Sequence, residues 1–332
     1  MFFVVCKLSS RRTFKGGIIS YARINTSYWL TPGSGKSTWA TKKYDYDRIF
    51  KHNTTILSSD QVRKEILGDE NDQTHNDEVF DYIKKTAVKK LEMGHRVIID
   101  ATNITKKSRK NITDFVEQHL NGFYEYGFIK FVVIATPYYK CLENNRKRDR
   151  QVPDYVIERM YQNFEFPTYL ETVHDIEVVY PFEIDKEFYG MEHPFERLLK
   201  FSHDTPYHKL SVGQHMRKTF EIMEVLSDNK VLLKAAELHD IGKPFCKTFI
   251  EEEGRARYLN HANVGSYEAM FYAKCAKFNK EETYELINLI QFHMRAHDCV
   301  GNEKATQKLK SIIGEKLYYK LQVLRIADKE AH

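Results

Sequence analysis

The sequence predicts an α/β domain, a parallel sheet with helices on both faces, followed by an all-α domain. Three observations predict this. A glycine-rich stretch, Pro32-Gly-Ser-Gly-Lys-Ser-Thr, runs straight into a helical pattern. Short apolar strands then alternate with amphipathic helices, and two of the strands end in an acid. From Pro194 onward helical patterns dominate, and histidines and aspartates recur at the polar ends of apolar stretches.

The glycine-rich stretch has the makings of a phosphate cradle. Gly33 and Gly35 let backbone N–H groups turn toward phosphate oxygens, with Ser34 between them. Lys36 can reach β- and γ-phosphates, the Ser37 hydroxyl can hold Mg²⁺, and Thr38 completes the nucleotide-binding set at the start of the helix, whose positive end faces the same anion. Leu30 stands where the full pattern has glycine, and Asn25 to Trp29 make a poor buried strand.

Length and composition bound the rest. At 332 residues, with 42% hydrophobic and 29% charged residues, the chain can bury two cores. No run approaches membrane-spanning length. The net charge of +5, from 51 basic and 46 acidic residues, is too small to argue nucleic-acid binding by itself. Cys6, Cys141, Cys246, Cys275 and Cys299 are scattered, which excludes a disulfide frame or a zinc ribbon and predicts a cytoplasmic protein. The first acidic residue is Asp45, after eight lysines and arginines. Such a start fits an organellar transit peptide. A misplaced start or shifted frame over residues 1–29 also accounts for Leu30 and the poor strand, and is the reading favoured. Residues 1–29 are therefore set apart as an uncertain extension.

In order, Thr54 to Ser59 is a strand ending in Asp60, with Arg63 three residues on. Val79 to Met93 is an amphipathic helix closed by Gly94. Arg96 to Ile99 is a buried strand ending in Asp100, and a helix spans Lys106 to His119. Phe128 to Ala135 is a further strand. Lys140 to Arg150 is a basic helix or lid, and Asp154 caps a helix over Tyr155 to Phe164. Asp175 to Tyr180 is an edge strand, and the domain boundary falls near residue 190. A phosphate cradle plus acids at two strand ends argues phosphoryl transfer. Asp60 can take the proton of an acceptor hydroxyl, Arg63 can hold an acceptor phosphate, and Arg148 can cross the transferring phosphate.

The stretches Pro-Gly-Ser-Gly-Lys-Ser-Thr-Trp-Ala, Ser58-Ser-Asp-Gln-Val-Arg, Gly94-His-Arg-Val-Ile-Ile-Asp-Ala-Thr-Asn and Asn144-Asn-Arg-Lys-Arg closely resemble the 5′-polynucleotide kinase domain of phage and bacterial end-healing enzymes. The resemblance covers about residues 30 to 175 and implies a P-loop kinase domain, set at 30–185. It implies that Lys36 and Ser37 bind ATP and Mg²⁺, that Asp60 is the general base on a 5′-OH, and that Arg63 contacts the acceptor's 3′-phosphate. It further implies that Asp100 supports the acceptor site and that Arg148 contacts the donor phosphates.

In the second half the chemistry-bearing residues are His215, His239 with Asp240, His261, His293 and Asp328. Facing helices can aim them at one internal site. Imidazole plus carboxylate suits Mn, Ni, Co, Zn or Fe. His261 and His293 are open to a second role, phosphate contact, and Lys243 can meet a leaving phosphate. The order His, His-Asp, Asp, with Leu238-His-Asp-Ile-Gly-Lys inside, resembles the HD phosphohydrolase superfamily. Tyr207-His-Lys-Leu-Ser-Val-Gly-Gln-His looks most like the HD domains of bacterial CCA-adding enzymes. This second resemblance sets an HD domain at 195–332 and implies 2′,3′-cyclic phosphodiesterase and 2′-phosphatase activity.

Together the two resemblances imply an enzyme that heals nucleic-acid ends, RNA or tRNA, for an RNA ligase. It would use ATP, Mg²⁺ and a transition metal. Two other classes stay open. One is a nucleoside kinase fused to a nucleotidase, the other a non-catalytic kinase-like module that delivers ends to an active HD site.

Overall fold

The computed structural model describes residues 23–28, 32–120, 128–168, 171, 175–206 and 209–332, and for 23–28 the backbone only. Leu30, Thr31, residues 1–22, and Tyr207 with His208 lie outside the described residues.

The first half is built on strands β1 (Arg23–Tyr28), β2 (Thr54–Ser58), β3 (Arg96–Ala101), β4 (Phe128–Ile134) and β5 (Asp175–Val179). They form one parallel sheet in the order β2-β3-β1-β4-β5. Parallel neighbours need crossovers. These carry α1 (Lys36–Ile49), α2 (Ser59–Leu67), α3 (Asn76–Glu92), α4 (Lys106–His119), α5 (Tyr138–Arg146) and α6 (Asp154–Gln162). The two strands flanking the centre carry apolar cores: Val97, Ile98 and Ile99 of β3 and Phe131 to Ile134 of β4 are buried.

Strand β1 corrects the sequence reading. Residues 25 to 28 were expected to make a poor strand, and a domain starting at residue 30 leaves them out. In the structure β1 is the central strand, paired on both sides: Ile24 stands opposite Val97 of β3 and Ile129 of β4. The physical reason is backbone pairing. A strand with two parallel neighbours satisfies its N–H and C=O groups whatever its side chains, and strand propensity is a context effect. The phosphate loop therefore does leave a central strand. Two ends also differ from expectation. Asp60 lies in the first turn of α2 rather than closing a strand. Asp154 is the first residue of α6 and Pro153 its cap, so the charge of Asp154 faces the positive helix end instead of capping it.

The second half is helical: α7 (Lys186–Tyr189), α8 (Val212–Leu226), α9 (Lys230–Leu238), α10 (Lys243–Cys246), α11 (His261–Cys275), α12 (Lys280–His297), α13 (Glu303–Ile313) and α14 (Glu315–Glu330). It carries one addition, an antiparallel ribbon of β6 (Thr248–Ile250) and β7 (Arg255–Arg257). Strands of three residues are too short to leave a period in the sequence. Among the described residues, no helix is long and apolar enough to cross a membrane.

The halves share one apolar core, running from Ile99 and Phe131 of the sheet to Leu238, Phe271 and Leu324 of the helices. Polar pins cross the seam. Gln291 of α12 accepts from the Phe166 N–H at 2.5 Å and donates to the Phe166 carbonyl at 3.1 Å. Tyr161 of α6 donates to Glu268 of α11, which also accepts from Tyr189 on its own side of the seam. Tyr267, next along, donates to the Thr136 carbonyl and accepts from the Thr136 N–H at 3.1 Å.

Candidate active sites

The loop between β1 and α1 is held from outside. Gly33 and Gly35 both adopt φ 87°, a left-handed conformation that a Cβ would strain. A Cβ on Gly33 would also stand 2.3 Å from the Cys141 carbonyl of α5. Asn144 of α5 donates to the Gly33 carbonyl at 2.8 Å, and Thr136 Oγ1 donates to the Ser34 carbonyl at 2.8 Å. Ser34 is buried, while Lys36 is half-buried and Ser37 and Thr38 are exposed in the first turn of α1.

Asp100, at the end of β3, faces this loop. It accepts from Ser37 Oγ at 2.9 Å and stands 3.6 Å from Lys36 Nζ. An acid against the loop serine and lysine is placed for the metal and donor side of phosphoryl transfer. The resemblance had assigned Asp100 to the acceptor side. Asp60, the other acid singled out from the sequence, lies between two guanidiniums, Arg63 Nη1 at 3.0 Å and Arg150 Nη1 at 3.3 Å. Arg63 is buried and its Nη2 donates to Asn76 Oδ1 at 2.7 Å. Arg148 is exposed on the bends after α5. The basic run thus sends Arg150 to Asp60, a partnership the sequence reading passed over.

The second centre gathers six side chains from five helical elements. His215 lies in the first turn of α8. His239 and Asp240 follow α9, His261 opens α11, and His293 and Asp328 lie in the last turns of α12 and α14. All six are buried. Asp240 is the hub. Its Oδ2 lies 3.7 Å from His215 Nε2 and 3.4 Å from His239 Nε2, and its Oδ1 lies 3.3 Å from His261 Nε2 and 3.8 Å from His293 Nε2. Asp328 Oδ1 lies 3.0 Å from His215 Nε2. A close helix approach makes this possible: a Cβ on Gly242 would stand 2.1 Å from the His261 carbonyl. Glycine there lets the first turn of α11 rest on the His239 to Gly242 turn.

The donor set fits a metal. The Nδ1 atoms of His239, His261 and His293 lie 3.0, 2.7 and 2.7 Å from the carbonyls of Ala236, Tyr258 and Ile290. A carbonyl only accepts, so Nδ1 carries a proton, and in the neutral ring Nε2 presents a lone pair. His261 Nε2 and His293 Nε2 then face each other at 3.2 Å. Two lone pairs at that distance repel, and a cation between them removes the conflict. Burial lowers the affinity of His293 for a proton, which outweighs the attraction of Asp240. His215, His239 and Asp240 form one ligand group and Asp240, His261 and His293 another, so the cluster can hold one ion or two sharing Asp240.

Burial works against charge on Asp240, yet Lys243 and His239 hold its carboxyl well below the usual range. Lys243 Nζ lies 2.6 Å from Asp240 Oδ2 and donates to His203 Nε2 at 3.0 Å. Burial and the neighbouring Lys243 push His203 down to about 4, so it stays a neutral acceptor. His297 Nε2 lies 2.9 Å from Asp328 Oδ2. His203 and His297 were not singled out from the sequence. His297 carried a usable signal, four residues after His293 on one helix face. His203 lies in a loop and carried none.

Comparison with known proteins follows this division. Residues 31–167 match the AAA domain family and residues 207–329 match the HD domain family. The chain thus joins a P-loop kinase-like domain to a helical HD domain. It is 31% identical over 107 residues to a CC-adding tRNA nucleotidyltransferase of Thermus thermophilus. That stretch covers 32% of this chain, and the chain spans 25% of the length of that relative. Among solved structures it is similar to a chain of the Pnkp1/Rnl/Hen1 RNA repair complex, with 22% identity, a TM-score of 0.35 and 46% of each chain covered. It is also similar to a gluconokinase of Sinorhizobium meliloti, with 12% identity, a TM-score of 0.32 and coverage of 49% of this chain and 85% of that one.

Proposed function

We propose that this chain repairs both ends of a broken RNA strand, phosphorylating a 5′-OH with ATP and hydrolysing a 2′,3′-cyclic phosphate. The observation that carries the reading is Asp60 held between Arg63 and Arg150. A carboxylate at that position can take a hydroxyl proton. The same guanidiniums form an anion receptor beside that hydroxyl, as an acceptor carrying its own phosphate requires. On the donor side, Lys36 and Ser37 would hold the ATP phosphates and Mg²⁺, with Asp100 orienting the serine. Arg148 stays the lid candidate for the donor phosphates.

For the other end, the six residues around Asp240 would hold the transition metal. A bound divalent ion there supplies hydroxide near neutral pH and positive charge against a phosphate ester. Lys243 lines the same cavity as Asp240, and its ammonium is held in place by Asp240 and His203. It can neutralise charge on a departing phosphate oxygen. The 31% identical relative is by its name a tRNA-acting enzyme, which supports an RNA substrate. The working unit is set at residues 23–185 for the kinase half and 195–332 for the HD half.

The test uses one RNA oligonucleotide with a 5′-OH and a 2′,3′-cyclic phosphate. The full chain is incubated with it, ATP, Mg²⁺ and Mn²⁺ or Ni²⁺, and both ends are read by mass spectrometry. Gain of a 5′-phosphate with opening or loss of the cyclic phosphate is the expected result. An unchanged 5′ end beside a processed 3′ end leaves a kinase-like binding module. No change at either end, with free nucleosides phosphorylated instead, replaces the reading with a nucleotide-metabolism enzyme.

A further inference from the structure

The cavity over the histidine centre has a volume of about 560 Å³, and one wall of it is used by none of the steps above. That wall is the β6–β7 ribbon. Arg255 and Arg257 stand two residues apart on β7, so they share a face. Both line the cavity together with Asp240, His261 and His293. Ala256 between them is buried, and its N–H donates to the Asp204 carbonyl at 2.7 Å. The next residue, Tyr258, donates its hydroxyl to the His203 carbonyl at 2.6 Å. The ribbon is therefore a fixed wall, pinned to the loop that also carries His203.

The turn before β7 gathers the two arginines. Glu253 accepts from Arg255 Nε at 2.6 Å and from both Nε and Nη2 of Arg257. One carboxylate thus holds two guanidiniums side by side at the cavity wall. Guanidinium forks match phosphate as they match carboxylate. Beside them the mouth is apolar: Leu259 is 73% exposed and Met294 is 48% exposed, and both line the same cavity. Large apolar side chains left in water next to paired arginines suit a flat base joined to a phosphate.

We propose that the Arg255–Arg257 wall is a subsite for the phosphodiester one nucleotide inside the 3′ end, so that the HD cavity takes a polynucleotide terminus in preference to a free nucleotide. The terminal phosphate lies over Asp240 and its histidines. The next phosphodiester lies on the two arginines, and a base packs on Leu259 and Met294. This assignment rests on the proposed 3′-end activity.

The experiment compares a 2′,3′-cyclic mononucleotide with an oligonucleotide ending in the same cyclic phosphate, using the full chain with Mn²⁺ or Ni²⁺. The ratio of kcat/KM, oligonucleotide over mononucleotide, is expected to fall about 10- to 100-fold in Arg255→Ala/Arg257→Ala, the worth of charged hydrogen bonds. The slope of oligonucleotide affinity against log salt is expected to shrink by about 0.7 per lost contact. Glu253→Gln removes a carboxylate that competes with phosphate for both arginines and is expected to tighten oligonucleotide binding severalfold, an effect that misfolding cannot imitate. A ratio unchanged in the double variant overturns the subsite, because both substrates then depend equally on the arginines or on neither. Binding of a 3′-phosphorylated oligonucleotide and of the matching mononucleotide is measured by competition alongside. If the chain hydrolyses neither substrate but the double variant loses oligonucleotide affinity alone, the subsite stands and the 3′-end activity falls. If the affinities do not move, the subsite falls whatever the activity.

Discussion

Residues 32 to 38, seven in a row, carry the phosphate loop, whereas the histidine centre draws its ligands from positions 215 to 328. The loop keeps Lys36 partly and Ser37 fully within reach of water, against one acid, Asp100. The histidine centre buries all its ligands and crowds four imidazoles around one carboxylate. A contiguous motif needs only a turn, two glycines and a helix start. A dispersed one needs every helix crossing right at once. The difference teaches that one site is written in the chain and the other in the packing. It also says where each is fragile.

The largest effects separate the two sites. Asp240→Asn removes the hub, so 3′-end hydrolysis is expected to fall by more than the roughly 100-fold typical of a lost outer-sphere partner. 5′-Phosphorylation should persist in the same preparation. In the mirror experiment, Lys36→Ala should lower 5′-phosphorylation by about 10²- to 10³-fold, the worth of a placed charge-stabilising group, with 3′-end processing retained. Both are read from one oligonucleotide by mass spectrometry. If either variant silenced both ends, the two constructions would not be independent, and the comparison would break.

His297→Ala sharpens the dispersed side. His297 holds Asp328 Oδ2 while the other oxygen faces His215. Its loss should weaken metal binding about 10- to 100-fold, measured by calorimetric titration. An unchanged affinity would mean that packing alone orients Asp328.

A smaller effect tests the seam. Tyr267→Phe strips a hydrogen bond from each of the Thr136 N–H and carbonyl, and Thr136 in turn supports Ser34 of the loop. The cost should be about 1–3 kcal/mol for buried groups left unmade. Urea unfolding should keep one transition at a lower midpoint, since the halves share one core. Two separated transitions would show that they fold apart.

The smallest effect is a pH slope. Burial pushes the Glu268 carboxyl up, against the pull of the Tyr161 and Tyr189 hydroxyls. A carboxyl raised in the folded state contributes stability that is full below its unfolded value and lost as pH rises through the folded one. Between pH 5 and 8 the wild type should therefore lose more stability than Glu268→Gln, by about 1.4 kcal/mol for each unit of the shift. Equal slopes by urea midpoint would refute the assignment.

Much of this molecule was legible in the chain. The loop, the acids Asp60 and Asp100, and the residues His215, His239, Asp240, His261, His293 and Asp328 stand out because each sits at the end of an apolar run of regular period. Such signals are local, and a helix or strand responds to its own residues first. What was not legible depended on neighbours in space. Strand β1 is a strand because β3 and β4 flank it. Arg150 rather than Arg148 reaches Asp60 because of the way the turn after α5 folds back. Arg255 and Arg257 line the metal cavity because a ribbon of three-residue strands closes over it.

By itself, then, the sequence determined the order and type of the periodic elements, with β1 and the β6–β7 ribbon excepted, and the kinds of side chain offered to phosphate and metal. Only the tertiary structure decided which oxygen of Asp240 faces which pair of histidines, which loop side chains Asp100 meets, and which arginines stand together. The physical reason is range. Periodicity and turn chemistry act over a few residues, whereas those pairings follow from contacts such as Gly242 against the first turn of α11, which exist only once the helices cross.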